Sequence, residues 1–347
     1  MPDRPLAFGG PGKTGAELAA AIRTGTARFH VESPHELSML AAAAQAAGRP
    51  ADILLRVNPP GAQAASKGTS RREPKGRGAA WTEERGTSDQ GRGRLKAPRR
   101  RAGLAELVMG GQPSPFGMDM SLLARCAESL ALMGRGPLRL RGLHAHLASG
   151  LGAGELLAEA GRLVEFGRDW CARHGVTDPE FGLGGGMAVD YRRPDAVFDW
   201  DRCGRGLAGL ARAGETLRIE PGRAVTAYCG WYLTRVLDVK RSHGEAFAVV
   251  AGGTHHLRTP AAKGHDQPFT VVPVDDWAPG WPRPGVSDTA VTIAGQLCTP
   301  KDVLARRVVV PRLRAGDLVA FGLAGAYAWN ISHHSFLMHP PPAFHYL

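Results

Sequence analysis

The chain has 347 residues, enough for two domains or for one large barrel with an appended unit. Hydrophobic residues make up 43% of it, yet no apolar run approaches the roughly 18 residues of a membrane helix, and the N-terminus lacks the apolar region of a signal peptide. Its five cysteines include no C-x-x-C pair, which argues against a disulfide framework or a zinc knuckle. We therefore expect a cytoplasmic α/β protein that makes no contact with a membrane.

The positive charge is concentrated in one segment. The net charge is +11, but residues 62–101 alone hold 12 Lys/Arg against 4 Asp/Glu, so the rest of the chain is close to neutral. A segment so rich in Gly, Ser, Arg and Lys cannot bury enough apolar surface to offset the entropy of ordering. We predict a disordered basic insertion at 62–101. A passive insertion is favoured over an arm for RNA or a protein partner, and we expect no nucleic-acid-binding fold.

Strands and helices alternate from the N-terminus to about residue 223. Two helix starts carry capping boxes, in which Ser or Thr is followed three residues later by Glu: Thr14 with Glu17 and Ser33 with Glu36. The predicted strands are Pro5–Phe8, Phe29–Val31, Asp52–Val57, Leu138–His146, Glu180–Leu183 and Thr216–Glu220. The predicted helices are Gly15–Thr24, 34–47, Ser121–Met133, Gly154–His174 and Trp200–Ala213. About six β/α units at this spacing indicate a parallel sheet or barrel.

The pattern changes after Ala227. Short alternating strands follow one another between Pro- and Gly-rich turns. The predicted strands are Tyr232–Val239, Ala246–Val250, Phe269–Pro273, Ala290–Ala294, Val303–Pro311 and Asp317–Phe321. We predict two domains, an α/β barrel over 1–227 and an antiparallel β-sandwich or β-barrel over 228–347.

Six short motifs stand in a fixed order along the chain. They are Phe8-Gly-Gly-Pro-Gly-Lys-Thr14, His144-Ala-His-Leu-Ala-Ser149, Gly182-Leu-Gly-Gly-Gly186, Glu220-Pro-Gly-Arg223, Gly295-Gln-Leu-Cys298 and Gly325-Ala-Tyr327. In this order they resemble the alanine-racemase-like (fold type III) pyridoxal-phosphate decarboxylases, the family of ornithine, diaminopimelate and arginine decarboxylases. The resemblance implies a (β/α)8 barrel of TIM type followed by a C-terminal β domain, with pyridoxal 5′-phosphate as cofactor.

The residues at predicted strand ends suit this chemistry, because strand ends converge on one site in such a barrel. A carboxylate such as Glu220 beside a pyridine nitrogen keeps that nitrogen protonated, which lets the ring accept electrons. Glycines at 184–186 and Arg223 can hold a phosphate. Each motif also has a plainer interpretation, since Glu-Pro-Gly-Arg is a common turn and three glycines often make a tight loop.

The resemblance assigns roles to individual residues. His146 would stack on the cofactor ring, Glu220 would pair with the pyridine nitrogen, and Cys298 would donate a proton after carbon dioxide leaves. The implied cofactor-binding residues are His146, Ser149, Gly184, Gly185, Gly186, Glu220, Gly222, Arg223 and Tyr327. In the family the cysteine comes from the partner subunit, so the resemblance implies a homodimer with shared active sites and a small amino-acid substrate.

Substrate recognition departs from the family pattern. Arg258 matches an arginine that contacts the substrate, but Thr299 stands where an acidic residue usually follows the cysteine, which leaves Asp302 as the nearest acidic candidate. The stretches Gly253–Pro260, Gly264–Pro268 and 329–334 look most like the siderophore-biosynthesis branch. Members of that branch decarboxylate amino-acid units, often conjugated to citrate.

The family lysine that carries the cofactor lies on a strand upstream of the first motif, and no lysine of this sequence fits that place. Lys13 belongs to a loop motif, and none of Lys240, Lys263 and Lys301 fits a barrel strand end. We therefore expect a barrel of about six strands, truncated at its N-terminus and inactive as it stands.

Three other functions stay open at this point. One is a non-catalytic, cofactor-binding scaffold, and another is an amino-acid racemase of the same fold. The third is a metal-dependent hydrolase built on His144 and His146, which point the same way along a strand. Since later strand ends lack further His or Asp ligands, we expect no metal site.

Overall fold

The computed structural model describes residues 6–59, 107–108, 111–134 and 136–347. The predicted insertion at 62–101 lies outside these residues. Within the described ranges, every helix is too short or too polar to cross a lipid bilayer.

The N-terminal part is built on a parallel sheet. Its strands are β1 (Ala7–Phe8), β2 (Arg28–Val31), β3 (Ala51–Arg56), β4 (Leu107–Val108), β5 (Leu138–His144), β6 (Ala148–Ser149), β7 (Glu180–Gly182) and β8 (Thr216–Arg218). Strands β4 and β6 pair as a short antiparallel ribbon, and the other six form one sheet in the order β1-β2-β3-β5-β7-β8. All neighbours in that sheet are parallel, so the prediction of about six parallel strands is confirmed.

Helices cover this sheet. They are α1 (Gly15–Arg23), α2 (Pro34–Ala46), α3 (Met120–Met133), α4 (Ala153–Arg173), α5 (Trp200–Leu210) and the short α6 (Arg223–Thr226), which runs into a 3-10 turn at Ala227–Cys229. Three consecutive residues of β3, Ile53, Leu54 and Leu55, are fully buried. A strand buried on both faces is typical of a parallel sheet between layers, and it carries no alternating pattern in sequence.

The first capping box is confirmed and the second is half wrong. At α1, Thr14 accepts from the Glu17 amide at 3.2 Å, and Glu17 accepts from the Thr14 amide at 2.8 Å. At α2, Ser33 accepts from the Glu36 amide at 3.1 Å, but the Glu36 carboxylate accepts from Lys13 Nζ at 2.6 Å. Lys13 is only 5% exposed, and a buried charge without a partner costs more free energy than a helix end without a second cap. The Glu36 carboxylate therefore pairs with Lys13.

The C-terminal part is a second six-stranded sheet. Its strands are β9 (Tyr232–Ser242), β10 (Glu245–Val250), β11 (Phe269–Val272), β12 (Gly285–Ala294), β13 (Val303–Arg314) and β14 (Leu318–Phe321). Their order is β11-β14-β9-β10-β12-β13. Helix α7 (Thr259–Lys263) follows β10, and 3-10 turns lie at Trp329–Ile331 and Phe336–Met338.

This sheet is mixed, so the prediction of a wholly antiparallel domain is wrong in one place. Strands β10 and β12 are parallel neighbours, while the other four pairs are antiparallel. Between them the chain passes through α7 and β11, which sits at the far edge of the sheet, and it then returns in the original direction. A parallel pair needs such a long crossover, and short turn signals in the sequence do not reveal it.

Candidate active site

A cavity of about 720 Å³ opens at the carboxyl ends of the parallel strands. Its walls come from the ends of the six parallel strands and the loops that follow them, and from one tyrosine of the C-terminal part. Side chains central to the cavity are His30, Arg56, His144, His146, Glu220 and Tyr327. Strand ends therefore converge here in the way that the barrel-type sheet predicts.

Glu220 lies beside two stacked imidazoles. His144 Nε2 is 3.0 Å from Glu220 Oε1, and His30 Nδ1 is 3.7 Å from the same oxygen. The His30 and His144 rings stack with centroids 4.0 Å apart. Gly182 makes this packing possible, because a Cβ atom there would lie 2.6 Å from the His144 ring. The same three groups place their ligand atoms within 4.8 Å of one another, a spacing that can hold a metal ion, so the expected absence of a metal site stays a prediction.

The charge at this end of the cavity is negative. Burial by itself would raise the pKa of Glu220, but the His144 hydrogen bond and the nearby imidazoles outweigh it and lower the pKa to about 2. Burial, reinforced by the charge of His144, lowers the pKa of His30 to about 3. At neutral pH the carboxylate is therefore ionised beside a neutral His30. The Glu220 side chain is 45% exposed, so the carboxylate can still accept a hydrogen bond from a ligand.

The glycine-rich loop fixes His146. The Gly185 amide donates to His146 Nδ1 at 2.9 Å, while Gly184 O accepts from the Glu220 amide at 2.8 Å. Gly186 O accepts from the amides of Gly150 and Leu151 at 2.8 and 2.9 Å. Since Nδ1 accepts, a neutral His146 carries its proton on Nε2. Burial lowers the pKa of His146, which favours that neutral form.

Arg223 brings a cation to the wall of the same cavity. It donates to the Tyr191 hydroxyl at 2.9 Å, and its guanidinium carbon lies 4.5 Å from the centre of the Tyr327 ring. Among the described residues Arg223 has no carboxylate within ion-pair distance. Gly186, Ser149 and Gly222 line the same cavity. The cavity wall therefore carries a carboxylate, a guanidinium and several glycines.

The Lys13 ammonium group makes three hydrogen bonds within the protein. It donates to Gly10 O at 2.5 Å, to His30 O at 2.8 Å and to Glu36 at 2.6 Å. The Lys13 side chain is 2% exposed. These contacts make Lys13 a tie between the first motif loop, strand β2 and helix α2, in agreement with its assignment to a loop motif.

Three residues predicted from the sequence lie in the C-terminal part and outside the cavity wall. Arg258 donates to His333 Nδ1 at 2.7 Å. Cys298 is an exposed free thiol. Asp302 is 2% exposed, and its oxygens accept from the amides of Thr254 at 2.6 Å and Leu297 at 2.8 Å. These bonds tie two loops together, so a role of Asp302 in substrate binding has no support from its surroundings and stays a prediction.

Comparison with known proteins gives a consistent answer. Residues 44–325 match the family described as pyridoxal-dependent decarboxylase, C-terminal sheet domain. The chain belongs to the pyridoxal-dependent decarboxylases. It is therefore a carboxy-lyase, and the resemblance drawn from the six motifs is confirmed.

The relatives extend over most of the decarboxylase chain. It is 34% identical to 2-[(L-alanin-3-ylcarbamoyl)methyl]-2-hydroxybutanedioate decarboxylase of Staphylococcus aureus, over all of this chain and 78% of that protein. It is 28% identical to the L-glutamyl-[BtrI acyl-carrier protein] decarboxylase of Niallia circulans, over 97% of this chain and 71% of that one. The crystal structure of diaminopimelate decarboxylase from Helicobacter pylori complexed with L-lysine aligns with a TM-score of 0.70 at 20% identity, covering 96% of this chain and 71% of that one.

The residues present fit pyridoxal 5′-phosphate, the cofactor of this family. The ionised Glu220 suits a protonated pyridine nitrogen, and the guanidinium of Arg223 suits a phosphate. Gly186 lines the cavity, and its amide bonds to no backbone carbonyl among the described residues. The carboxylate and the guanidinium thus match the opposite charges at the two ends of the cofactor.

The structure brings most of the predicted cofactor residues together. His146, Ser149, Gly186, Glu220, Gly222, Arg223 and Tyr327 line the cavity, and Gly184 and Gly185 stand behind it. Sequence reasoning missed His30, Arg56 and Tyr191, which also line it. His30 could have been predicted from the sequence, because it lies near the carboxyl end of a predicted strand, as His146 does. Tyr191 carries no such signal.

Proposed function

We propose that this decarboxylase removes carbon dioxide from an amino acid carried on a larger carboxylated molecule, in siderophore biosynthesis. The observation that carries the proposal is a cavity whose wall holds both the ionised Glu220 and the guanidinium of Arg223. The substrate class is supported by the 34% identity, along the full chain, to a relative that acts on a hydroxybutanedioate bearing an alanin-3-yl group.

The cofactor, when bound, supplies an electron sink for the carbon that loses its carboxylate. In this proposal Glu220 accepts the hydrogen bond of the pyridinium nitrogen and holds it protonated. His146, fixed by the Gly185 amide, covers the ring face. Ser149, Gly186, Gly222, Arg223 and Tyr327 hold the phosphate, which is supported by their lying in the wall of the same cavity.

The proton donor comes from the C-terminal part. We infer that Cys298 protonates the product carbon and that it does so in the active site of a partner subunit. Two facts support this: Cys298 is exposed, and it does not line the cavity of its own chain. A homodimer with shared sites follows from this assignment.

We also propose that the parallel sheet is part of an eight-stranded barrel. Its six strands stand in chain order with no reversal, as in a barrel wall, whereas a doubly wound sheet reverses its order at a switch point. A cytoplasmic location is part of the same proposal. The five cysteines are all free thiols, which suits a reducing compartment.

The test is an assay of carbon dioxide release. The full chain is saturated with pyridoxal 5′-phosphate and given either the alanin-3-yl hydroxybutanedioate or meso-diaminopimelate. The family lysine that carries the cofactor has no counterpart in this sequence, so the assay also tests the inactivity expected from the sequence. Carbon dioxide that is released should come from the conjugate in preference to diaminopimelate. The same assay is run on Glu220→Gln, which should release less carbon dioxide. Glu245→Gln, at an exposed carboxylate in the C-terminal sheet, is its matched control.

Each other outcome points elsewhere. Loss of optical activity without carbon dioxide would identify a racemase. Stable cofactor binding with neither reaction would identify a scaffold. Failure of the cofactor to bind at all would contradict the proposed site.

A further inference from the structure

The guanidinium of Arg223 lies near two tyrosine rings. Its central carbon is 4.5 Å from the centre of the Tyr327 ring and 5.9 Å from the centre of the Tyr191 ring. One of its nitrogens, Nη1, donates to the Tyr191 hydroxyl at 2.9 Å. A long side chain loses conformational entropy when a ligand fixes it. The contacts with the two tyrosines reduce that loss, because they already restrict the guanidinium before a ligand binds.

Tyr191 is well suited to hold Arg223. It is 3% exposed and belongs to an apolar cluster with Leu151, Met187 and Phe198, so packing restricts its ring. Burial raises the pKa of the Tyr191 hydroxyl, which is therefore an uncharged phenol at pH 7. It fixes one N–H group of Arg223 without neutralising the positive charge. That charge remains for a bound anion.

Both tyrosines are held in turn by residues at the two ends of helix α7. Thr259, the first residue of the helix, donates its hydroxyl to the carbonyl oxygen of Tyr327. His265, two residues after the helix ends, stacks on Tyr191 with ring centroids 4.1 Å apart and ring planes inclined by 17°. The helix belongs to the C-terminal part, whereas Tyr191 and Arg223 follow strands of the parallel sheet. Helix α7 therefore links the C-terminal part to the surroundings of Arg223.

The segment that carries His265 is itself anchored. Gly264, just before it, ends helix α7 in the left-handed conformation with φ +68°. Gln267, just after it, is 1% exposed. The Gln267 side-chain amide donates to Gly322 O at 2.7 Å, and its backbone amide donates to Leu304 O at 2.9 Å. Because both flanks are fixed, the His265 ring is held against Tyr191.

We propose that Tyr191 is a positioning residue for Arg223 and that His265 positions Tyr191, so that the loop after α7 sets the affinity of the cavity for a phosphate group. The inference rests on the proposed function, in which Arg223 binds the phosphate of the cofactor. It adds a chain of contacts that begins in the C-terminal part, passes from His265 to Tyr191 and ends at Arg223.

The test is a calorimetric titration of the full chain with pyridoxine 5′-phosphate and with pyridoxine. The two probes differ only in the phosphate group, and neither carries an aldehyde that would react with lysine side chains. Tyr191→Phe keeps the ring beside His265 and removes the hydroxyl that holds Arg223. We expect it to weaken binding of pyridoxine 5′-phosphate about tenfold, because a hydrogen bond to a charged group is lost. Binding of pyridoxine should not change.

Further variants test each step of the chain of contacts. His265→Ala removes the stacked ring and should weaken binding of pyridoxine 5′-phosphate about three- to fivefold. His265→Phe keeps a flat ring on Tyr191 and should retain most of the affinity. The double variant with Tyr191→Phe and Arg223→Gln should bind this probe no more weakly than Arg223→Gln alone, because Tyr191 acts only through Arg223.

Two control variants match these substitutions. Tyr228→Phe removes a tyrosine hydroxyl that has no hydrogen-bond partner among the described residues. His174→Ala removes an imidazole that stacks on Trp170, also with centroids 4.1 Å apart, outside the cavity wall. Both variants should leave the affinity for pyridoxine 5′-phosphate unchanged.

Three results would overturn the inference. They are an unchanged affinity of Tyr191→Phe for pyridoxine 5′-phosphate, an equal loss of affinity for both probes, and losses that add in the double variant. Each of them leaves the proposed function intact, because the unchanged protein still binds the phosphorylated probe. A protein that binds neither probe before any substitution would contradict the proposed function, and the inference would fail with it.

Discussion

Around Glu220 in the cavity wall the charged groups have partners within the protein, whereas Arg258 in the C-terminal part has no carboxylate partner among the residues that the structure describes. Glu220 is held by His144 at 3.0 Å, and Arg56 pairs with Glu32 at 2.6 Å. Arg258 has an imidazole as its partner at 2.7 Å. The charges of the first region are paired within the protein, and the charge of the second is paired only with a neutral partner.

The difference has a structural origin. The paired groups of the first region sit at the ends of parallel strands, where neighbouring strands fix their positions. The groups of the second region sit on loops and on the C-terminal segment, which hydrogen bonds join to one another. We expect substitutions in the first region to affect folding and cofactor binding, and those in the second to affect substrate affinity.

The largest expected effect concerns the buried ion pair of Lys13 and Glu36. Lys13→Met leaves Glu36 buried without its counterion and should lower the free energy of unfolding by about 3–5 kcal/mol. The matched variant Arg307→Met breaks an exposed pair with Glu245 in the C-terminal sheet and should cost less than about 1 kcal/mol. Urea denaturation followed by tryptophan fluorescence measures both. Equal losses in the two variants would show that burial does not distinguish the pairs.

The next effect is on catalysis. Glu220→Gln replaces the proposed ionised partner of the pyridine nitrogen by a neutral amide. It should lower any rate of carbon dioxide release by about 10²–10³-fold, as loss of a preorganised electrostatic group does. Steady-state kinetics with saturating cofactor give the comparison. An unchanged kcat would remove Glu220 from the chemistry.

A smaller effect, on cofactor affinity, is expected for Arg223 in the cavity wall. Arg223→Gln removes a charge-assisted contact and should weaken pyridoxal 5′-phosphate binding about tenfold or more. Fluorescence quenching during cofactor titration reports the affinity, with Arg312→Gln as the exposed control. If the two variants bind the cofactor equally well, the phosphate lies elsewhere.

The smallest effect is a pH dependence of stability. The pKa of His30 is lowered to about 3 and that of His255 to about 4, both chiefly by burial. Between these values and the ordinary histidine pKa, the two side chains bind protons in the unfolded chain but not in the folded chain. Their contributions to stability are complete above the ordinary histidine pKa of about 6.5 and are lost as the pH falls from there toward the folded values. Glu220 acts in the same direction between about 4.5 and 2.

Two variants separate these contributions. His30→Phe and His255→Phe should each reduce the slope of unfolding free energy against pH between 4 and 6.5. Thermal unfolding monitored by circular dichroism at several pH values gives the slope. His35→Gln, at an exposed position, should leave it unchanged, and a steeper slope in either buried variant would contradict the assignment.

Much of the fold was predictable from local signals. The Thr14–Glu17 capping box marked helix α1, and Glu220 and His146 stood out because strand ends converge in a barrel-type sheet. Each of these signals is contained in a few consecutive residues, so no knowledge of distant contacts was needed.

Other features depend on contacts between distant residues. Glu36 pairs with Lys13 and leaves its cap, because the nearby charge is buried. The parallel pairing of β10 with β12 requires a crossover that turn residues do not announce. Asp302 binds two backbone amides, and nothing in its neighbourhood in sequence indicates that the loop of Thr254 would lie there.

The central claim is that this cavity binds pyridoxal 5′-phosphate with its ring nitrogen on Glu220. A crystal structure of the full chain with that cofactor tests it most directly. The account predicts the pyridine nitrogen at hydrogen-bond distance from a Glu220 oxygen and the phosphate beside Gly186 and Arg223. A phosphate found against Glu220, or a cofactor bound outside the cavity, would contradict it.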